Sequence, residues 1–471
     1  MAVSATAATP KPLSLDPLNP HYFLFRGKPS VLVTSGEHYG SVINQDFNYS
    51  RYLKELARNH LNLTRIWVGP YREVAGNFGI ASNTLAPQPA RFLPPWPRSN
   101  VPGAADGGNK FDLKEWNPAY FARLRDFVRQ ASRRGVVVEV NLFCPYYEES
   151  MWQVSPLNAA NNANGIGSVP RTQVLTMRHT DVVAVEDSMV RKIVDELNSF
   201  DNIYYEICNE PYFGGVTLEW QRHISETITA AEEHLPNRHL ISQNIANGSK
   251  QVNDPDPRVS IFNFHYSRPP SSVGMNYKLD RVIGYNETGF DGQADATYRI
   301  QGWDFLVAGG ALYNNLDYSF AVGHEAGDFR YPPATPGGGS AALRKQLGIL
   351  KQFFDSLDLT QMQPDDSIAK LIGPDAGTVR VLAVPKDDYV VYIHHGRADA
   401  HAKPKYVIDS VPRQRKVSID LPAGSYEQLW LNTKTGQIQG KTGFRHAGGE
   451  RIFTSPAYAE DVVLRIRRRS R

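Results

Sequence analysis

From residue 22 to residue 358 two hydrophobic periods alternate along the chain. Short, dense apolar runs fall at 30–34, 63–68, 136–141, 202–209, 239–244, 259–265, 281–287 and 311–316. They have the length and composition of strands buried on both faces. Between them lie stretches with apolar residues three and four apart, the spacing of a helix packed on one side. Tyr52, Leu53, Leu56 and Leu61 mark one such stretch over 47–61. Phe121, Leu124, Phe127, Val128 and Ala131 mark another, opened by Asn117-Pro118 and closed by Gly135. A capping amide, a first-turn proline and a terminal glycine delimit that helix. Further helices are expected over 180–200, 220–235, 294–308 and 340–357. Eight strand–helix units in succession predict an α/β fold, a (β/α)8 TIM barrel, over residues 1–365. A doubly wound open sheet is the alternative, but no Gly-x-Gly-x-x-Gly turn follows an early strand. Phe23-Leu24-Phe25 and the following Arg26-Gly27-Lys28-Pro29 read as a hairpin capping the barrel floor.

After residue 365 the period changes to two. Alternating runs at 379–384, 389–393, 417–421, 427–431 and 462–466, separated by turns such as Pro422-Ala423-Gly424, predict a small all-β sandwich over 366–471. Two connections are long, 69–115 and 142–176. Loops of that length in a compact domain are walls or lids of a site.

Composition narrows the function. The 471 residues are 41% hydrophobic and 21% charged, ordinary for a soluble globular chain. A net charge of +3 gives no argument for a nucleic-acid partner, and no run of about 18 apolar residues is present to span a membrane. The last residues, Arg465 to Arg471, read as a final strand with a solvated basic tail. Two cysteines, Cys144 and Cys208, exclude a disulfide scaffold. The start, Met1 to Pro10, lacks the basic and apolar regions of an intact signal peptide. It is compatible with the trimmed start of a secreted or periplasmic protein, so the compartment stays open between export and cytoplasm. No residue pattern sets an oligomeric state.

The fourth strand carries the most specific signal. Asn202-Ile-Tyr-Tyr-Glu-Ile-Cys-Asn-Glu-Pro211 is a β-rich run that ends on a carboxylate followed by proline. Proline cannot donate to a strand ladder, so the strand is expected to stop there, with Glu210 at its C-terminal end. In a parallel barrel that end carries the chemistry. Taken alone, Asn-Glu-Pro reads equally well as a helix cap or a turn. A second carboxylate, Glu287, closes the seventh strand within Gly284-Tyr-Asn-Glu-Thr-Gly289. Ends of strands four and seven face each other across an eight-stranded mouth. Two carboxylates flanking one bond are what glycoside hydrolysis requires. No His-Glu-x-x-His or other metal-ligand spacing is present, and neither metal nor cofactor is expected.

These motifs resemble the clan A glycoside hydrolases, most closely family 5 and its apiosidase-like relatives. The resemblance implies that Glu210 in Asn209-Glu210-Pro211 is the acid/base and Glu287 the nucleophile. It implies substrate-binding roles for Asn209, for Arg65 near the end of strand two, and for His265 and Tyr266 at the end of strand six. In the family the last two are separated by one residue; here they are adjacent, so which of them touches the nucleophile stays open. The family's histidine after strand three is missing from Asn141-Leu-Phe-Cys-Pro145, and its tryptophan after strand eight is replaced by Tyr313-Asn-Asn-Leu-Asp-Tyr318. Tyr313 or Tyr318 is the expected stacking ring, with Asn314 beside it. Glu37 and His38, closing the first strand, are expected to line the sugar pocket or to form a turn. The C-terminal stretch, with Gly424-Ser-Tyr426, Trp430-Leu-Asn-Thr433 and Ser455-Pro456, is similar to the small β domain named for collagen binding that follows apiosidase-like barrels.

The expected function is a retaining glycoside hydrolase acting on β-linked oligosaccharides or polysaccharides by double displacement, with the long loops favouring exo action. An endo-acting β-glucanase or mannanase, a non-catalytic carbohydrate-binding barrel and a metal-dependent hydrolase are the alternatives. The carboxylate pair argues against the second, and the absence of His-x-His on strand one against the third.

Overall fold

Residues 11–373 and 377–469 are described by a computed structural model. Met1 to Pro10 and the end of the basic tail lie outside them. The apolar runs form eight parallel strands: β1 (Leu32–Gly36), β2 (Leu63–Trp67), β3 (Val137–Asn141), β4 (Ile203–Glu206), β5 (Ile241–Asn247), β6 (Ile261–His265), β7 (Val282–Thr288) and β8 (Leu312–Leu316). Their order in the sheet is β1-β8-β7-β6-β5-β4-β3-β2. Apart from the end of β5, every residue of these strands is buried, which is why they read as continuous rather than alternating apolar runs. The seam between β1 and β2 is closed by Asn62. Its backbone N–H donates to the Val33 carbonyl at 3.1 Å, and its side-chain oxygen accepts from the Val33 N–H at 2.9 Å. The chain is therefore a TIM barrel followed by C-terminal β-sheets.

Helices α1 (Tyr49–Arg58), α2 (Pro118–Arg133), α3 (Thr180–Leu197), α4 (Leu218–Glu232), α5 (Ser271–Asn276), α6 (Asp295–Val307) and α7 (Ala341–Asp355) surround the sheet. Asn48 and Asn117 cap α1 and α2 by accepting from Arg51 N and Ala119 N, and Pro118 opens α2. Two units depart from the expected regularity. The described residues between β5 and β6 contain no helix, and α5 after β6 is only six residues long. The segment 248–258 carries Pro255 and Pro257 and few apolar residues, so it has no stripe with which to pack. Strand β4 ends at Glu206, four residues before Glu210. Proline is thus not what ends it. Residues 207–210 run on into the mouth, with Ile207 N donating to Ser242 O at 3.1 Å and Asn209 N to Phe143 O at 2.9 Å.

The hairpin Phe23–Phe25/Lys28–Ser30 forms as expected, joined by Ser14–Leu15. The two long connections fold on each other. Phe111 N donates to Asn161 O at 2.7 Å and Ala163 N to Phe111 O at 2.8 Å, so they act as one wall.

At the C-terminus, a six-stranded antiparallel sheet runs in the order Gln363–Pro364, Thr378–Val384, Asp388–His394, Asp461–Arg468, Gly424–Leu431, Ile438–His446. A three-stranded sheet of Ala369–Ile372, Lys416–Leu421 and Gly449–Thr454 accompanies it. Val381, Val391, Val417, Ile419, Trp430, Phe453 and Leu464 share their core. The strands Ile438–His446 and Gly449–Thr454 are mostly exposed, which is why no apolar alternation announced them.

Helix α6 joins the two parts and is buried on nearly every side. Trp303 stacks on Tyr392 with ring centroids 5.6 Å apart. The Arg299 guanidinium donates to Asp461 at 2.7 Å and to Glu460 at 2.6 Å, and Arg380 donates to Asp304 at 2.8 Å. Trp303 is therefore a packing residue. Replacing it with Ala should cost about 3–5 kcal/mol and, in urea unfolding followed by both fluorescence and circular dichroism, lower the midpoint for barrel and β-sheets together. A loss confined to one signal would show that α6 does not couple them.

Candidate active site

The C-terminal ends of the strands bring together groups that regular strands would separate. Adjacent residues of a strand point to opposite faces, yet Asn286 and Glu287 both face the barrel axis, as do His265 and Tyr266. The register between β6 and β7 shifts here, so that Phe264 pairs with Tyr285 but His265 with Glu287. A bulge re-aims a side chain in this way. Three residues after strand ends also adopt positive φ: Tyr39 at 61°, Glu210 at 36° and Tyr266 at 49°. Side chains other than glycine seldom do so, and each such residue costs on the order of 1–3 kcal/mol.

Beneath the mouth the barrel holds an ionic core. Arg65 is fully buried, as are Glu139 and Glu206. Its guanidinium donates to Glu206 through both Nε, at 2.9 Å, and Nη2. Nη1 donates to Glu287 Oε2 at 3.2 Å, and Nη2 to Asn209 Oδ1 at 2.8 Å. The cation also lies 4.5 Å from the Trp67 ring centroid and 4.9 Å from that of Tyr39. Asn286 donates to Glu139 at 2.8 Å and to Glu206 at 3.0 Å. Burial, then the charge of Glu206, pushes the Glu139 carboxyl well above the usual carboxylate range. Arg65 makes its hydrogen bonds to Glu206 and Glu287, with Glu139 farther away at 3.5 Å.

Glu287 receives three donors. Besides Arg65, the Tyr39 hydroxyl donates to Oε2 at 3.0 Å and the Tyr266 hydroxyl to Oε1 at 2.8 Å. Glu210 faces it. His265 Nδ1 lies 3.0 Å from Glu210 Oε1 and 3.4 Å from Glu287 Oε1; between two carboxylates that nitrogen carries the hydrogen. The Tyr147 hydroxyl donates to Glu210 Oε2 at 2.7 Å and accepts from Asn209 Nδ2 at 2.8 Å. Burial raises the Glu210 pKa. The bond and charge of His265, with the Tyr147 hydroxyl and the Asn247 amide, more than offset burial, and the net value lies below the usual carboxylate range.

A carboxylate oxygen from Glu210, one from Glu287 and a ring nitrogen of His265 lie within 4.8 Å of one another. Three such groups have the composition of a metal site. The donors speak for another use. Both Glu287 oxygens already accept from N–H or O–H donors, and the Arg65 cation lies against Oε2. The arrangement suits an anion that must react while a neighbouring acid moves a proton.

These groups open into a pocket of about 660 Å³, within the range of small-ligand sites. His38, Trp67, Phe78, Cys144, Tyr147, Phe213, Arg268 and Phe290 line it, along with the loop 402–405 from the C-terminal β region. Phe78 meets Tyr147 edge-on at 5.3 Å, and Tyr147 meets Phe213 at 5.8 Å. They form an apolar wall of the kind that packs against sugar C–H faces.

The family model described as Cellulase (glycosyl hydrolase family 5) matches residues 35–301. The chain belongs to glycosyl hydrolase family 5. It is a glycoside hydrolase. Among solved structures, a family 5 glycoside hydrolase from Bacteroides vulgatus superposes with a TM-score of 0.62 at 12% identity, over 97% of this chain and 94% of its own. Another, titled glycoside hydrolase, superposes with a TM-score of 0.62 at 12% identity, over 98% of both chains. At that identity they share the fold. No protein of curated function matches the sequence.

For this family 5 chain, the structure brings together Glu210, Glu287, Asn209, Arg65, His265 and Tyr266 around one space. Both members of the His265-Tyr266 pair reach the carboxylates, the histidine touching the two and the tyrosine only Glu287. His38 lines the pocket and faces Glu73 at 3.1 Å. Glu37 is a turn residue. Its oxygens accept from Gly40 N, Ser41 N and the hydroxyls of Ser41 and Thr84, and it does not line the pocket. Tyr313 points away from the mouth, its hydroxyl donating to Tyr298 O at 2.7 Å. Tyr318 is buried against Phe290. Asn314 lies below the site, donating to Asn286 O at 2.9 Å. An outward-facing position on β8 explains the tyrosine: strand alternation sends it into the helix layer. Sequence reasoning missed Tyr39, Tyr147 and the 402–405 loop. Tyr147 occupies the region where the family histidine was sought, so a search for any hydroxyl donor there would have found it.

The Tyr147 hydroxyl stabilises the ionised form of Glu210, so removing it must raise that pKa. Carboxyl-carbon NMR titration of Tyr147→Phe should show Glu210 titrating at higher pH than in the unaltered protein. An unchanged or lower midpoint would contradict the hydrogen-bond account. Because the native pKa is depressed, Glu210 contributes stability above its unfolded pKa and loses it as pH falls through the folded value.

Proposed function

We propose that the protein is a retaining β-glycosidase acting at the ends of β-linked glycans, with Glu287 as nucleophile and Glu210 as acid/base. One observation carries the reading: the facing carboxylate oxygens of Glu210 and Glu287 lie within 4.8 Å. Retaining enzymes hold the two carboxyl groups about 5–5.5 Å apart, whereas inverting ones keep them about 6.5–9.5 Å apart to admit a water.

The chemistry follows from the donors. Arg65, Tyr39 and Tyr266 orient Glu287 toward the anomeric carbon. Glu287 attacks, the glycosidic C–O bond breaks, and Glu210 gives its proton to the leaving oxygen. Water then attacks the glycosyl–enzyme ester while Glu210 takes one of its protons, releasing the sugar and freeing Glu287. Glu210 must begin protonated, although His265 and Tyr147 hold its pKa down in the free protein. A sugar filling the pocket removes water and raises it again. Asn209, its oxygen held by Arg65, turns its amide toward the 2-hydroxyl of the sugar.

Exo action is supported by the enclosure. Residues at or just after the C-terminal ends of strands β1 to β7 contribute to the pocket, and the loop 402–405 adds a further wall. An open cleft for endo action lacks that last wall. In this reading the described residues through α7 form the catalytic barrel, and the β-sheets from Gln363 onward, two residues before the boundary expected at 365, complete its rim.

Aryl β-glycosides test the assignment. Glu287→Gly should lose turnover, and azide should restore it with formation of the α-glycosyl azide. Glu210→Gln should slow poor leaving groups by about 10²–10⁴-fold and activated ones much less. Full activity of either variant, or an inverted sugar product from the unaltered enzyme, would overturn the roles.

A further inference from the structure

The pocket wall contributed by the C-terminal β region differs in charge from the rest. The loop 402–405 lies between the short strands Gly396–Ala398 and Tyr406–Ile408. Tyr406 is buried and anchors one end. Pro404 sits against the loop after β7: a Cβ placed on Gly292 would lie 3.0 Å from the Pro404 ring. This seats Lys403 and Lys405 in the lining of the pocket, which Arg268 and Phe290 share.

The other cations of the pocket are already engaged. Arg268 pairs with Asp291, and His38 with Glu73. The nearest acid in the loop's own sequence, Asp399, accepts from Arg397 at 3.0 Å and from the His401 N–H at 3.0 Å. Among the described residues, Lys403 and Lys405 meet neither a carboxylate nor another acceptor, and both are exposed. The acids that face the same space are Glu210 and Glu287, which the proposed reaction uses, and Glu73, which His38 and Asn83 hold on the far wall. Two exposed lysines with no acidic partner, on a wall that also carries aromatic rings, make a site for a sugar with a negative charge.

We propose that Lys403 and Lys405 recognise an anionic substituent, a carboxylate or a sulfate, on the glycan that enters this pocket. The inference rests on the glycosidase reading for the sugar itself, and adds the substrate class: acidic rather than neutral glycans. It also gives the β region a part in specificity, beyond bracing the barrel.

Calorimetric titration of the Glu287→Gln protein tests this without turnover, using cellotriose, the β-1,4-linked glucuronic acid trisaccharide and a sulfated cellotriose. One or both anionic sugars should bind about tenfold tighter than cellotriose, the scale of a charge-assisted hydrogen bond. Which of them does so separates carboxylate from sulfate. The preference should fade with added sodium chloride. Adding Lys403→Gln and Lys405→Gln should bring the affinity ratio close to one, while the Lys→Arg pair at the same positions keeps it. Equal affinities, no binding of either anionic sugar, or a preference that survives the glutamine exchange would overturn the proposal. Failure of the glycosidase reading would look different: no Glu287-dependent hydrolysis of any aryl glycoside, with the anionic preference intact.

Discussion

One buried cation organises the barrel mouth. Arg65 takes its charge out of water entirely, which is tolerable only because carboxylates surround it. Its donors fix Glu206 below, Glu287 above and the Asn209 carbonyl to one side. The ring faces of Tyr39 and Trp67 close over it. Three carboxylates gather around one guanidinium, and burial, then the charge of Glu206, raises the Glu139 pKa well above the usual carboxylate range. Arg65 turns β2, β4 and β7 into a single unit, so the position of Glu287 is set by the core rather than by a loop.

The mouth itself is built against local preference. Tyr39, Glu210 and Tyr266 each hold a positive φ, and a bulge turns Glu287 inward beside Asn286. Strain of this kind persists only where surroundings over-determine it. Here the hydrogen bonds from Tyr39 and Tyr266 to Glu287, and from Tyr147 to Glu210, supply the determination. These three strained residues converge on the carboxylate pair, as expected where the backbone has been shaped for function rather than stability.

The barrel was legible because its strands are apolar on both faces and its helices carry stripes and caps. Glu210 and Glu287 were legible because each ends an apolar run. What could not be read came from three physical sources. Strand alternation placed Tyr313 in the helix layer, and only the register of β8 reveals that. Glu37 stood open between a pocket and a turn role, because Thr84, which with Ser41 saturates it, comes from a loop whose path is not local. Lys403 and Lys405 reach the pocket through packing between sequence-distant parts, Pro404 on Gly292 and Trp303 on Tyr392, which no periodicity encodes. The exposed strands after residue 438 lacked an apolar pattern altogether.

The central claim is that Glu287 bonds to the sugar. Incubation with a 2-deoxy-2-fluoro β-glycosyl fluoride, followed by proteolysis and mass spectrometry, tests it most directly. The account predicts a glycosyl adduct on the peptide containing Glu287, absent when Arg65 no longer holds that carboxylate, as in Arg65→Met. An adduct on Glu210, or turnover of an activated glycoside with no covalent species under conditions that trap a retaining control enzyme, would contradict it.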